Sequence, residues 1–437
     1  MRPVVRPRAL ACVRRHGHNA ALFAMDQTRM ESSGMPSRWG RIFLPFALGY
    51  YLSYLLRTVN AVISPALTAE LDLSAANLGL LTSTYFLAFG LAQIPVGIAL
   101  DRFGPRRVEA LLLLITAIGA AMFALGDSLQ MLGFGRALIG LGVSACLMAA
   151  LKGFALWYPR ERQSSMTGFI MASGALGALT ASTPLEALLP VLGWRGAFWI
   201  ICVVALLASF TIFRSLPDAP AEGPRGTLGD ALRVLGGIYA SPAFLRLAAS
   251  AATFIGGFMA LQSLWAVPWL MNVNELGLAQ AAGMLVVLNL GTLIGQLSIG
   301  VLGVRLARWG VEPIALLRGG YACLLAMQVV ILFKLAPVMP AWFLFGLFSA
   351  VNSQSYLVAS RAFAPALFGR VSTALNLMAF AGAFALQWGL GHALDALRAH
   401  GHDMVTALQY GFGGLILLQL AGLLPLLRRS RDPDDFN

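Results

Sequence analysis

Apolar runs of 19–29 residues, separated by short polar breaks, recur along the whole chain. A membrane-spanning helix needs about 20 apolar residues, so each run is long enough to cross a bilayer. The pattern predicts spans at about 42–67, 77–100, 108–126, 129–157, 165–190 and 196–214. A second set follows at about 243–271, 279–303, 312–334, 338–360, 370–394 and 404–427. Between the sets runs the longest internal polar stretch, from Ser215 to about Ser241, with Pro217, Asp218, Pro220, Glu222, Gly223 and Pro224. It reads as a linker over 215–241 that joins a bundle over 42–214 to a bundle over 242–427. A short amphipathic helix is expected from Leu228. The predicted fold class is an all-α membrane protein of about twelve transmembrane helices.

Composition supports the pattern. Of the 437 residues, 58% are hydrophobic and 11% charged, where a soluble domain carries about 25% charge. Residues 1–41 are rich in Arg, Gly and Ser, with no long apolar stretch behind their charges, so they do not read as a cleaved signal peptide. They are expected to form a disordered basic tail, or to reflect an over-extended start, since Met25, Met30 and Met35 are alternative initiators. Residues 428–437 read as a C-terminal tail. Cys12, Cys146, Cys202 and Cys323 lie far apart and lack metal-ligand or CxxC spacing, which argues against a disulfide framework. The two lysines, Lys152 and Lys334, sit in no GxxxxGK[ST] stretch, so the chain carries no P-loop. No cofactor and no metal is expected. His400-Gly-His402-Asp403 reads as a solvated loop.

The net charge of +12 takes its meaning from where the cations fall. One alternating set of loops holds only Arg195, Lys334 and Arg398. Arg57, Arg136, Lys152 and Arg318 lie within spans, and the remaining 24 of the 31 cations sit on the other side. Cytoplasmic loops carry the excess of Lys and Arg. Both termini are therefore expected in the cytoplasm, and the positive charge needs no nucleic-acid partner. The expected location is a bacterial inner membrane.

Between the second and third spans lies Gly97-Ile-Ala-Leu-Asp101-Arg102-Phe-Gly104-Pro-Arg106-Arg107. This resembles the loop signature of the major facilitator superfamily, G-x-x-x-D-R-x-G-R-[KR]. Gly97 is expected to let two helices approach closely. Asp101 is expected to accept charge-assisted hydrogen bonds from a helix end or an Arg, and Gly104 to permit a tight turn. A weaker echo without the Asp follows the eighth span at Gly300, Arg305, Arg308 and Gly310, as structural repeats would leave. Arg136-Ala-Leu-Ile-Gly140-Leu-Gly142, Trp157 to Arg162, and Gly193-Trp194-Arg195 are also similar to stretches of that superfamily. The resemblance covers about Arg41 to Arg429. It implies two pseudo-symmetric six-helix bundles, with Gly97, Asp101, Arg102, Gly104, Arg106 and Arg107 acting as a conformational gate, and alternating access to a central site.

Arg57 lies about 15 residues into the first span, roughly 22 Å along the helix. An Arg at mid-span costs at least about 2.5–3.5 kcal/mol, so it should face a water-filled cavity or a partner. Tyr50, Tyr54, Arg57 and Ala61 share one helical face. A guanidinium flanked by phenols offers a planar, two-pronged donor to a carboxylate; a structural Arg bonded to backbone carbonyls is the other reading. The stretch Tyr54 to Pro65 resembles the first span of the anion:cation symporter branch, which commonly reads Y-x-D-R-x-N with a Pro eight residues after the Arg. Arg57 and Pro65 match, Asn60 falls one residue late, and Leu56 stands where that branch has Asp. Val143 stands where its fourth span often has Glu. The resemblance therefore implies anion recognition and leaves the coupling open.

No Asp or Glu falls near the middle of any predicted span, and Glu186 and Asp395 lie near outer ends. Arg136 is a candidate for lining the cavity or pairing, or for anchoring a helix end. Lys152 and Arg318 are expected to snorkel. Neutral polar residues gather in the second set of spans: Gln262, Trp265, Asn289, Gln296, Asn352, Gln354, Asn376 and Gln387. Interhelical hydrogen bonds explain many such residues; Asn289, Asn352 and Asn376 are the candidates for substrate contact by depth. The expected function is transport of a small organic anion, a carboxylate, by a monomer, with Arg57 as main anion contact. A coupling proton or sodium ion, exchange and facilitated diffusion all stay open. Efflux of drugs or amphiphiles is the alternative. A non-transporting membrane sensor or intramembrane enzyme is more remote, because no nucleophile–base or metal constellation lies at span depth.

Overall fold

The structure is a computed structural model that describes residues 39–218, 228–364 and 367–427. The expectations for the basic tail before Trp39, for linker residues 219–227 and for the C-terminal tail lie outside the described residues. Nearly every described residue is helical. The helices are α1 (Leu44–Leu71), α2 (Ala75–Leu125), α3 (Leu129–Trp157), α4 (Arg160–Thr180) and α5 (Thr183–Ser215). They continue with α6 (Leu228–Tyr239), α7 (Pro242–Asn272), α8 (Leu278–Arg308) and α9 (Pro313–Leu332). The last are α10 (Val338–Ser349, extended through a tighter turn to Arg361), α11 (Phe368–Ala399) and α12 (Met404–Leu427). Nine helices among the described residues are long and apolar enough to cross a membrane. The helix expected from Leu228 is α6.

Two of these helices hold more than one crossing. α2 has 51 residues, about 76 Å at 1.5 Å per residue, against a hydrocarbon core of about 30 Å. It turns back at Gly104, whose φ of 77° and ψ of 164° suit a residue without a Cβ. α5 turns in the same way at Gly193, φ 63°. Its segment before Gly193 extends the crossing begun by α4. With α10 also counted, the twelve predicted crossings are consistent with this arrangement.

The two halves repeat each other's closest contacts. In the first half a Cβ on Gly140 would overlap the Tyr85 carbonyl oxygen, and one on Gly177 would overlap that of Tyr51. In the second half Gly346 stands in the same way against the Leu288 carbonyl, and Gly382 against that of Ala252. In each half the fourth crossing thus meets the second, and the fifth meets the first, backbone to backbone. Small residues at helix crossings are how membrane helices gain packing where lipid removes the hydrophobic drive between them. Gly97, by contrast, faces open space, with no atom within 4 Å of where a Cβ would be. The close approach expected there is made instead by Gly140 and by Gly142, which sits against Thr116.

At the arginine-poor end the halves touch. The Asp395 carboxylate on α11 accepts hydrogen bonds from the first two backbone amides of α2, Ala75 at 3.0 Å and Ala76 at 2.9 Å. These donors are unpaired within their own helix, so an anion suits them. Gly391 lies against the Ala75 carbonyl on the same seam. Within the first half, Arg195 joins Glu70 and Asp127 across three helix ends, and its guanidinium stacks 4.1 Å from the Trp194 ring.

At the arginine-rich end Asp101 accepts from Lys152 Nζ at 2.6 Å, a lysine rather than the expected Arg or helix end. Lys152 also donates to the Leu100 carbonyl at 3.0 Å, so it is held by the motif rather than snorkelling free. Arg106 donates to the Phe213 carbonyl at 2.7 Å and pairs with Asp218 at 3.0 Å. The loop after the second crossing therefore clasps the end of the sixth and the start of the linker.

Candidate functional site

Arg57 is 9% exposed and sits where the halves meet. Its guanidinium carbon lies 4.4 Å from the centre of the Tyr54 ring on its own helix. Phe89 of α2 stands at 5.8 Å and Phe380 of α11 at 5.6 Å. Those two phenylalanines stack on each other, with centroids 4.3 Å apart and planes 19° off parallel. They form a floor contributed equally by both halves. The Arg57 Nε is buried and has no hydrogen-bond partner. No salt bridge among the described residues involves Arg57. A guanidinium over aromatic faces keeps part of its electrostatic stabilisation, and the buried Tyr85 phenol also stands near it, yet the Nε donor meets no acceptor.

Tyr50, predicted beside Arg57, is buried, and its ring is 5.1 Å from that of Tyr54. Its hydroxyl meets Met171 Sδ of α4 at 3.5 Å. Gly174 makes room for the ring, since a Cβ there would be 2.6 Å from Tyr50 Cε1. Arg136 is fully buried. It donates to the Leu56 carbonyl at 3.0 Å and lies 5.1 Å from the Tyr85 ring. Its Nε and Nη2 have no partner. Of the sequence readings, anchoring to backbone describes this contact, but it lies at mid-helix next to Arg57, not at a helix end.

The three asparagines divide. Asn289 Oδ1 accepts from Gln262 Nε2 at 2.6 Å, an interhelical bond inside the second half. Asn352 is 9% exposed and its buried Oδ1 is unpartnered. Asn376 is brought to the seam: it accepts from the Tyr356 hydroxyl at 3.0 Å and donates to Gln93 of α2 at 3.3 Å. Gln387 accepts from Ser263 at 3.2 Å, and its backbone carbonyl takes the Trp265 indole at 3.1 Å. These bonds stitch α7 to α11.

The site thus gathers Arg57, Tyr54, Tyr50, Asn376, and four residues that sequence reasoning did not single out: Phe89, Gln93, Tyr356 and Phe380. Tyr356 lies near Tyr54 and Arg57 from the opposite half. Gln93 was a visible signal, a lone amide in an apolar run. The phenylalanines carried none, since 26 are present in the chain. One further group was passed over. Glu109 lies one turn inside the third crossing, away from the central band, and is fully buried. The large clefts elsewhere, one lined by Tyr51, Leu55, Leu188 and Ile200 and one by Leu386, Leu390, Tyr410 and Leu417, are apolar and hold none of these groups.

Comparison with known proteins places this geometry. Residues 46–386 match the model of the Major Facilitator Superfamily. A probable L-galactonate transporter of Escherichia coli is 30% identical over 155 residues, 36% of this chain and 34% of that protein. A probable sulfoacetate transporter of Cupriavidus necator is 26% identical over 174 residues, 39% and 40% of the two chains. A galacturonate transporter of Dickeya chrysanthemi is 26% identical over 170 residues, 39% and 49%. The chain spans about a third to a half of the length of these relatives. Among solved structures, a bacterial homologue of the lysosomal transporter Spinster, inward-facing and occupied, aligns with a TM-score of 0.70 at 18% identity, covering 92% of this chain and 100% of that one. The nucleoside transporter NupG aligns at 0.71 with 12% identity, covering 89% and 100%. These two show the fold alone. The matched family model spans most of the chain, so this membrane protein belongs to the major facilitator superfamily.

Proposed function

We propose that the chain carries a small organic anion, a carboxylate, by alternating access, with Arg57 as the main anion contact. The observation that carries this reading is the Arg57 guanidinium: buried at the seam of the two halves, ringed by Tyr54, Phe89 and Phe380, without a salt-bridge partner. A buried charge without a counter-ion is costly, and a bound carboxylate removes that cost while taking two parallel hydrogen bonds. Tyr54, Tyr356 and Asn376 line its surroundings with neutral polar groups. Relatives named for galactonate, sulfoacetate and galacturonate support an acidic substrate. The arginine-rich face is cytoplasmic in this reading, with both termini inside. The closed seam at Asp395 is then on the outer side, and loading occurs from the cytoplasmic side in this conformer. Lipophilic-cation efflux asks for a carboxylate facing the cavity, and among the described residues none touches Arg57.

The test is counterflow in proteoliposomes with galactonate, galacturonate and sulfoacetate as probes. Wild type should exchange at least one of them, and Arg57→Ala should lose exchange while it inserts and purifies as wild type does. Unchanged exchange by Arg57→Ala would sink the site assignment. Drug resistance conferred equally by wild type and Arg57→Ala would favour efflux instead.

A further inference from the structure

Glu109 is a buried carboxyl that the anion site leaves unused. It projects from the third crossing, just past the Gly104 turn, and is 0% exposed. Neither carboxylate oxygen has a hydrogen-bond partner from an N–H or O–H group. Two elements close around it. α1 presents Gly49, where a Cβ would stand 2.5 Å from Glu109 Oε1 and push the carboxyl aside. α3 presents the Cys146 thiol, itself buried beside the carboxyl. The next titratable group is the Tyr50 phenol, near Cys146 and turned toward Met171. Among the described residues no cation faces the pocket. Lys152 is bonded to Asp101 and the Leu100 carbonyl, and Arg57 is screened by Tyr54 and Tyr50.

An ionised carboxylate with only a thiol for company would cost several kcal/mol here. A protonated carboxyl avoids that cost. A residue wanted only for volume would not be ionisable, and a buried acid inside a crossing points to a proton or ion path. The pocket is also wired to the anion site. From the Cys146 thiol the path runs to Tyr50, then to the Tyr54 ring 5.1 Å away, then to Arg57 4.4 Å beyond. Gly49 and Arg57 sit two turns apart on one rigid helix, about 12 Å. Any shift of α1 at Arg57 would therefore also be felt at the wall that seals Glu109.

We propose that Glu109 is a proton-binding site of the first half, which takes up and releases one proton in each transport cycle. This rests on the anion reading above. An O–H bond forms at the Glu109 carboxyl with a proton from water on one side of the membrane. That bond breaks toward water on the other side after the halves have rocked. With a singly charged anion such as galactonate or galacturonate, one anion and one proton cross together and no net charge moves.

The experiment compares full-length wild type, Glu109→Gln and Cys146→Ala in proteoliposomes, with galacturonate, galactonate and sulfoacetate as probes. One proton per anion predicts about tenfold accumulation of the singly charged galactonate or galacturonate for an inward gradient of about one pH unit. Wild type and Cys146→Ala should reach it. Glu109→Gln should keep counterflow, in which no net proton moves, and should not accumulate. Accumulation by Glu109→Gln equal to wild type overturns the proposal. Loss of counterflow and accumulation together in Glu109→Gln assigns the residue a packing role and also overturns it. Infrared difference spectra read the acid without any substrate. A protonated-carboxyl C=O band that changes with pH in wild type and is missing in Glu109→Gln supports the site even where none of the three anions is transported. Absence of such a band in wild type overturns it.

Discussion

The two halves share a scaffold and differ in charge. Gly140 against Tyr85 and Gly346 against Leu288 are the same crossing made twice. Four residues before Gly140 stands Arg136, fully buried; four residues before Gly346 stands Trp342, buried to 1% exposure. The pairing of Tyr51 with Gly177, and of Ala252 with Gly382, sets Arg57 against Phe258 by the same count along each helix. The first half thus holds two guanidiniums and Glu109 where the second holds aromatic rings and amides such as Gln262, Asn289 and Gln387. Backbone packing tolerates one solution, because close helix crossings need small residues on both copies. Charge placement is free to differ; in the proposed function one half supplies the charged wall and the other shapes and orients the substrate. The second half stays cheap to insert, since amides cost the bilayer far less than ions.

The largest effect expected of breaking this asymmetry is at Arg57. Arg57→Ala removes the charged partner of a buried anion and should weaken anion binding by about 2–5 kcal/mol, read as loss of ligand-induced thermal stabilisation. Phe258→Ala, at the matching place in the second half, should leave that stabilisation in place. Next come the shared crossings. Gly140→Ala and Gly346→Ala each force a methyl into a carbonyl and should destabilise by about 1–3 kcal/mol. Similar losses in melting temperature for the two would show that packing is symmetric; a loss confined to one would break the repeat. A smaller effect is expected at Gln262→Leu, which ends one interhelical bond to Asn289. Bonds of this kind average about 0.6 kcal/mol, so transport affinity should shift modestly and not vanish. Smallest is Gly97→Ala. Its Cβ meets open space, and the melting temperature should correspond to a change within about 0.5 kcal/mol.

Much of the architecture was legible before the structure. The apolar runs located the crossings, and the turns at Gly104 and Gly193 fall in the polar breaks that separate them. The amphipathic start at Leu228 was also legible, since its periodicity is local. Gly97 was misread because the loop motif was taken to carry the helix contact. The motif instead acts through side chains: Lys152 on Asp101, Arg106 on the Phe213 carbonyl and on Asp218. At the site, Arg57, Tyr50, Tyr54 and Asn376 were legible because polar groups stand out in an apolar run. Asn289 was taken as a cavity candidate by depth alone, and its bond to Gln262 turns it inward.

By itself the sequence determined that this protein is a bundle of membrane helices, which end of it is arginine-rich, and that Arg57 sits at mid-span. Each of these is a sum over one segment: apolar length, loop charge, distance along a helix. Only the tertiary structure decided that Phe380 and Tyr356 reach Arg57 from more than 290 positions away. It alone set Arg136 on the Leu56 carbonyl and enclosed Glu109 between Gly49 and Cys146. Those contacts depend on crossing angles and on glycines that let backbones touch. Along one helix, hydropathy registers that a carboxyl is present, while its partners are set by neighbours from other turns of the chain. Arg57 was visible as a charge; what surrounds it, and the unused acid two turns below, belong to the packed molecule.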